Sequence, residues 1–172
     1  MNFSDIIRNN QKSLSEGKLW LLIDAAQQPR LIRNWLENQS TQSVVSLFEN
    51  TPEKELPLYA SPFLYPITAN NSKDVEKTIT EWLTEANMLT ILDTEQSTSS
   101  IQKHLQNYFD VMLPDGKAAL FRFYDPSITA YIHHLLDKTN YEKLVNKFDH
   151  WWYAVNENEF RQLPKNYPER NI

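Results

Sequence analysis

The side chains of this 172-residue sequence that could do chemistry are three aspartates, Asp24, Asp93 and Asp125. Each follows a segment that is predicted to be a strand. Ligands of α/β proteins gather outside strand ends, so three convergent carboxylates could serve hydrolysis or group transfer. Acidic residues in these positions also cap helices and loops, and a capping role is favoured for Asp24 and, because Pro126 follows it, for Asp125. We therefore expect structural rather than catalytic roles.

No other pattern in the sequence is typical of an enzyme. Cysteine is absent, Gly17 and Gly116 lie in no phosphate-binding loop, and Gly-x-Ser-x-Gly does not occur. His133 and His134 are adjacent on a predicted helix and point about 100° apart, which is not the same-face spacing of a zinc site. The sequence predicts no catalytic residue, no cofactor and no metal ion.

Composition favours a partner other than nucleic acid or membrane. The formal net charge is −5, whereas binding to phosphates needs clustered lysine and arginine. No apolar run approaches the roughly 20 residues of a membrane span, and the polar N-terminus lacks a signal-peptide core. We expect one cytoplasmic domain over residues 1–172 with no small-molecule substrate.

Arg122 lies in an aromatic run, residues 118–124, that is predicted to be a strand. On a strand, Arg122 and Tyr124 share one face, and Phe121 and Phe123 share the other. If the phenylalanines fill the core, Arg122 either pairs with a buried carboxylate or forms an exposed protein-binding surface with Tyr124. The candidate carboxylates are Asp24 and Asp93. A central strand position slightly favours the ion pair.

Trp151 and Trp152 are predicted to lie on the last strand, residues 151–155. Neighbouring residues on a strand point to opposite faces, so one indole serves the core. The other is either covered by a second layer or available to a protein partner. We favour the available surface, because an end strand is often incompletely covered.

The rest of the sequence predicts the elements that must position these side chains. Strands are predicted at 19–23, 44–48, 63–67 and 88–92. Helices are predicted at the N-terminus, from Pro29, after an N-cap at Ser72 and from Ser97 to Ser100 onward. Residues 138–157 predict a helix and a strand, and residues 161–172 predict a polar tail. Strands that alternate with helices indicate an α/β fold, a single domain with a mixed β-sheet flanked by helices.

The segment from Pro114 to Leu136 is the easiest to interpret locally. Pro114-Asp115-Gly116 is a turn sequence, since glycine accepts the left-handed geometry that other residues resist. Asp125-Pro126 is a helix start, with a capping carboxylate followed by proline at the first helical position. An apolar stripe then predicts a helix that continues to Leu136.

Residues 121–126, Phe-Arg-Phe-Tyr-Asp-Pro, resemble the Phe-Arg-Phe-Tyr-Asp-Pro-Arg signature of the type VI secretion effector adaptors, also called Tap or effector-chaperone proteins. Ser127 stands where that family usually has a second arginine. Three further segments are similar to the family in the same order. They lie at 19–26, 47–67 and 97–116, so the resemblance spans about residues 18–137.

The resemblance implies a cytoplasmic adaptor that binds an effector toxin and helps to load it onto the VgrG tip of the secretion spike. The expected protein-binding residues are Arg122, Tyr124, Trp151 and Trp152. The expected structural residues are Asp24, Gly116, Phe121, Phe123, Asp125 and Pro126. Two alternatives stay open: an immunity protein that neutralises a toxin, and a small hydrolase or transferase that uses Asp24, Asp93 and Asp125.

Overall fold

A six-stranded sheet organises the computed structural model, which describes residues 1–38, 43–112 and 115–168. The strands are β1 (Leu19–Asp24), β2 (Val45–Ser46), β3 (Pro62–Ile67), β4 (Leu89–Asp93), β5 (Asp110–Met112), β6 (Ala118–Leu120), β7 (His150–Asn156) and β8 (Glu159–Gln162). The α-helices are α1 (Phe3–Asn9), α2 (Gln11–Ser15), α3 (Pro29–Leu36), α4 (Ser72–Leu83), α5 (Thr98–Gln106), α6 (Pro126–Thr129), α7 (Ile132–Leu135) and α8 (Lys138–Val145). Single 3₁₀ turns lie at Ala25–Gln27 and Leu58–Ala60.

The strands of the large sheet lie in the order β2-β3-β1-β4-β7-β8, and β5 and β6 form a separate hairpin. The predicted α/β class, a sheet flanked by helices, is confirmed. A mixed sheet would contain parallel neighbours, but each strand pair in the described part of the chain is antiparallel. Short connections are one reason for the antiparallel pairing. The turn between β7 and β8 has two residues, and so short a turn can join only strands that run in opposite directions.

Both faces of the sheet are covered, and all residues of β1 are buried. Leu19, Leu21 and Ile23 contribute to one hydrophobic core, and Trp20 and Leu22 contribute to the other. Helices α1, α3 and α4 cover the first core, and α5, α8 and residues 121–124 cover the second. An alternating polar face is therefore absent from β1, which explains its continuous apolar sequence.

The strand predicted at 118–124 is too long, because β6 ends at Leu120. The next four residues form an irregular segment and a turn that is closed by the Asp125 amide donating to the Arg122 carbonyl at 3.0 Å. Phe121, Phe123 and Tyr124 are all buried in the second core. In a regular strand, Tyr124 would point to the opposite face from Phe121 and Phe123. Because the chain is not a strand after Leu120, all three rings can be buried in the same core.

The apolar stripe that ends at Leu136 is not one helix. It is divided into α6 and α7 at Tyr131, whose backbone is not helical. The Thr129 hydroxyl donates to the carbonyls of Phe123 and Asp125, which holds α6 against the preceding turn. Tyr131 and Leu135 belong to the apolar stripe by sequence, but both are exposed.

Other boundaries differ from prediction at the sheet margins. The strand predicted at 44–48 has only two residues in strand conformation, and Asn71 rather than Ser72 occupies the N-cap position of α4. The strand at β7 is not the last one, because β8 follows it. The predicted polar tail accordingly begins with strand residues, and Leu163 is buried.

In the described part of the chain, no helix combines the length and the apolar character needed to cross a membrane.

Candidate protein-binding site

Asp24 is the last residue of β1, and its side chain is fully buried on the face of the sheet that carries the second core. Its Oδ2 atom accepts hydrogen bonds from Arg122 Nη2 at 2.6 Å and from Gln27 Nε2 at 3.1 Å. Its Oδ1 atom is also buried and has no hydrogen-bond partner among the described residues. One oxygen of this carboxylate is therefore satisfied, and the other is not.

Burial raises the pKa of Asp24 above its ordinary value of 3.8. The hydrogen bond from Gln27 and the charge and hydrogen bond of Arg122 act in the opposite direction, but they do not outweigh the loss of hydration. Burial also disfavours the charged form of Arg122, but the neighbouring carboxylates, chiefly Asp24, raise its pKa overall. The ion pair thus offsets only part of the cost of burying Asp24.

Arg122 is the only exposed side chain within residues 121–126, and 43% of it is accessible to solvent. Its Nη2 atom also lies 3.6 Å from Asp125 Oδ2, and its guanidinium carbon lies 5.9 Å from the centre of the Tyr124 ring. Burial, followed by the charge of Asp24, raises the pKa of Tyr124 to about 12. Both carboxylates thus restrain the guanidinium through Nη2, while the Arg122 side chain stays partly open to solvent.

Asp125 caps α6 as predicted. Its Oδ1 atom accepts hydrogen bonds from the Ser127 amide at 2.9 Å and from the Ser127 hydroxyl at 2.7 Å, and Pro126 is the first helical residue. The cap is tied to the site because the other carboxylate oxygen faces Arg122. Ser127, which replaces the second arginine of the signature, is a cap partner rather than a source of charge.

Phe123 fixes the signature segment in the second core. Its ring lies 5.6 Å from that of Phe109, 6.1 Å from that of Phe121 and 6.3 Å from that of Trp151. Gly116 has the positive φ expected of its turn, +81°. The Pro114 end of that predicted turn lies outside the described residues.

The three aspartates do not converge, so the arrangement considered for a hydrolase or transferase is wrong. β1 and β4 are antiparallel, and Asp93 pairs with Leu19 at the far end of β1 from Asp24. There, Asp93 Oδ2 accepts a hydrogen bond from the Ser13 hydroxyl at 3.1 Å and lies 3.2 Å from His150 Nδ1. In an antiparallel pair, the carboxyl end of one strand lies beside the amino end of its neighbour. The direction of neighbouring strands could not be predicted from each strand's own sequence.

Trp151 and Trp152 are both only 2% exposed, so the predicted aromatic surface is wrong. Trp151 packs in the second core against Phe148, with ring centres 5.0 Å apart, and Trp152 packs in the first core beside His150. β8 covers the outer edge of β7, so β7 is not an end strand. Tyr124, the other predicted aromatic contact, is also buried.

Gln27 is the site residue that sequence reasoning missed. It belongs to the 3₁₀ turn that begins immediately after β1, and it returns to Asp24 three residues earlier. An amide donor three positions after an aspartate that ends an apolar strand is the sequence signal for this contact.

The fold and this cluster define an α/β protein in which a buried carboxylate fixes a surface arginine. The described residues contain no group of three or more His, Cys, Asp or Glu side chains that could hold a metal ion. The chain belongs to the family described as "Domain of unknown function (DUF4123)", whose model matches residues 19–143. No curated protein and no solved structure matches the chain. The matched range includes the Asp24–Arg122 cluster and excludes Trp151 and Trp152.

Proposed function

We propose that this protein is a cytoplasmic adaptor, or dedicated chaperone, that binds a type VI secretion effector toxin and helps to load it onto the VgrG spike. The observation that carries the proposal is the exposure pattern of residues 121–126, the segment that resembles the adaptor signature. Arg122 alone is exposed there, while its neighbours are buried or cap a helix. A segment of this kind presents one fixed side chain to a partner.

The geometry of Arg122 suits a protein interface. Arginine is enriched among residues that dominate binding energy, and a guanidinium already held in place loses little conformational entropy on binding. Asp24 and Asp125 provide that restraint. Because two carboxylates already face this one guanidinium, we expect its partner group to be a main-chain carbonyl or an aromatic ring rather than a third carboxylate.

The proposal assigns no catalytic residue and no cofactor. The separation of Asp24 from Asp93 removes the three-carboxylate site on which the enzymatic alternative depended. The immunity alternative needs the same kind of surface as an adaptor, so the identity and state of the bound protein must distinguish the two. An adaptor delivers an active toxin and is found with VgrG, whereas an immunity protein inhibits the toxin it binds.

The test is affinity purification of the tagged protein from its native host, followed by mass spectrometry and an activity assay on the recovered toxin. We expect a type VI effector together with VgrG, and a loss of recovery of about tenfold or more for Arg122→Ala. Arg161→Ala is the matched control, because Arg161 is an exposed arginine on β8 whose one ion pair with the described residues is to Glu159. Recovery of a toxin that is inactive while bound, without VgrG, would instead indicate immunity. Absence of an effector would overturn both proposals.

A further inference from the structure

A small cavity opens on the opposite face of the sheet from Arg122, between α3, β3 and α4. Its volume is about 30 Å³, and it is named here the Trp35 cavity. Three aromatic residues, Trp35, Tyr65 and Trp82, form much of its wall, and the remaining lining residues are Leu21, Asp74, Val75 and Thr78. Trp35 is half-buried and Asp74 is exposed, so the cavity communicates with solvent at this rim.

The three rings meet at steep angles rather than in a stack. The Trp35 ring centre lies 5.0 Å from that of Tyr65 and 5.1 Å from that of Trp82, with interplanar angles of 77° and 79°. In this arrangement, a small group bound in the cavity can contact aromatic surface on more than one side. Aromatic faces carry negative electrostatic potential and attract organic cations.

Asp74 is the only charged residue in the cavity wall, and it forms no ion pair with the described residues. No cation of the described residues lies over the three rings. The cation–ring contacts among those residues are elsewhere, between Arg33 and Tyr59 and between Arg122 and Tyr124. The cavity therefore combines aromatic walls with an exposed carboxylate at its rim that forms no ion pair with the described residues.

We propose that the Trp35 cavity binds the ammonium group of a lysine side chain from a polypeptide partner. A cavity needs about 10–15 Å³ by this measure to hold one water molecule, so the Trp35 cavity admits an ammonium and its last methylene. We expect the cavity to favour an ammonium over the larger trimethylammonium and guanidinium groups. The proposal goes beyond the adaptor role and does not depend on it.

The first experiment titrates the full chain, labelled with ¹⁵N, with N-acetyl-lysine methylamide and follows the indole N–H signals of Trp35 and Trp82. The methylamide of N-acetyl-2-aminoheptanoic acid is the neutral control, because its unbranched side chain replaces the lysine ammonium by a methyl group at the same length, and tetramethylammonium tests the effect of size. We expect saturable shifts of both signals with the lysine derivative alone. Equal shifts with the neutral control would show a purely apolar cavity, tighter binding of tetramethylammonium would show a site for a small quaternary ammonium, and no shift would show no site. Each of these three results overturns the proposal.

The second experiment removes the negative charge at the rim of the cavity and keeps a side chain of the same size. Asp74→Asn is expected to weaken binding of the lysine derivative about two- to fivefold, the effect of one exposed charge pair. Glu81→Gln is the control, because Glu81 is an exposed carboxylate on the same helix that does not line the cavity. Trp35→Leu removes the aromatic face and is expected to weaken binding about three- to fivefold. Should Trp35→Leu fail to fold, the comparison of Asp74→Asn with Glu81→Gln decides, and equal binding by those two variants overturns the proposal.

Discussion

Arg122 and Asp24 are 98 positions apart in sequence, and Arg122 Nη2 lies 2.6 Å from Asp24 Oδ2. The two side chains differ sharply in environment, since Asp24 is fully buried and Arg122 is 43% exposed. The contact joins the end of β1 to the turn before α6. One ion pair therefore links the interior of the fold to the surface that we propose binds a partner.

Replacing Arg122 by alanine is expected to lower the free energy of unfolding by about 2–3 kcal/mol. Removing one member of a buried ion pair typically costs about 3–5 kcal/mol, because the other charge is left without compensation. Solvent that reaches the exposed side of Arg122 reduces that cost. Urea denaturation measures the change, with Arg161→Ala as the surface control, for which a change below about 0.5 kcal/mol is expected.

Arg122→Lys separates charge from geometry in the same assay. Lysine keeps the positive charge but cannot reproduce the fixed fork of the guanidinium, so an intermediate loss of stability is expected. If Arg122→Ala and wild type have the same midpoint of urea unfolding, Asp24 does not depend on this partner and the ion pair has no structural role.

The raised pKa of Asp24 predicts an unusual pH dependence. Its folded-state pKa lies above the ordinary 3.8, so the folded protein binds this proton more readily than the unfolded chain does. The contribution of Asp24 to stability is therefore most favourable below about pH 3.8 and is lost as pH rises through the raised pKa. We expect wild type to gain stability relative to Asp24→Asn as pH falls from 7 to 4.

The measurement is the difference in unfolding free energy between the two proteins across that range. A difference is needed because other carboxylates, such as Asp115 and Asp137, have lowered pKa values and make the whole protein less stable in acid. Those contributions are common to both proteins and cancel. A difference that changes in the opposite direction would mean that Arg122 and Gln27 outweigh burial at Asp24.

Local sequence signals predicted the elements that depend on neighbours in the chain. The apolar run of β1, the proline that opens α3 and the Asp125 cap of α6 are all confirmed. Each depends on hydrophobic continuity or on hydrogen bonds that span only a few residues, so the sequence is sufficient.

Relationships that depend on topology could not be predicted in the same way. The separation of Asp24 from Asp93 follows from antiparallel pairing of β1 with β4, and the burial of both Trp151 and Trp152 follows from the two hydrophobic cores that cover opposite faces of β7. Both are decided by contacts between distant parts of the chain. Asp24 was nevertheless a named candidate partner of Arg122, because a buried arginine needs a carboxylate.

Asp125→Ala is expected to lower the free energy of unfolding by about 1 kcal/mol through loss of the N-cap. Asp137→Ala is the matched control, since Asp137 caps α8 through the Asn140 amide but lies outside the Arg122 cluster. Asp125→Ser keeps a capping oxygen and should recover most of the loss. If stability is unchanged in Asp125→Ala while effector binding disappears, Asp125 contacts the partner and its cap is dispensable.

Trp151→Ala and Trp152→Ala are each expected to lower the free energy of unfolding by about 3–5 kcal/mol, because each leaves a cavity in one of the two cores. The two single variants, with Tyr131→Ala as control, are compared by urea denaturation. Tyr131 is 63% exposed, so its truncation should change stability by less than about 0.5 kcal/mol. A Trp152 variant as stable as the Tyr131 control would show that one face of β7 is open after all.

Phenylalanine substitutions refine this prediction, because they separate the ring from its polar atom. The indole nitrogens of Trp151 and Trp152 are buried and have no hydrogen-bond partner among the described residues. Phenylalanine keeps much of the apolar contact and removes an unsatisfied donor, so each substitution should cost clearly less than alanine at the same position. Equal losses for phenylalanine and alanine would indicate that each nitrogen has a partner, such as a buried water molecule, on which the packing of β7 depends.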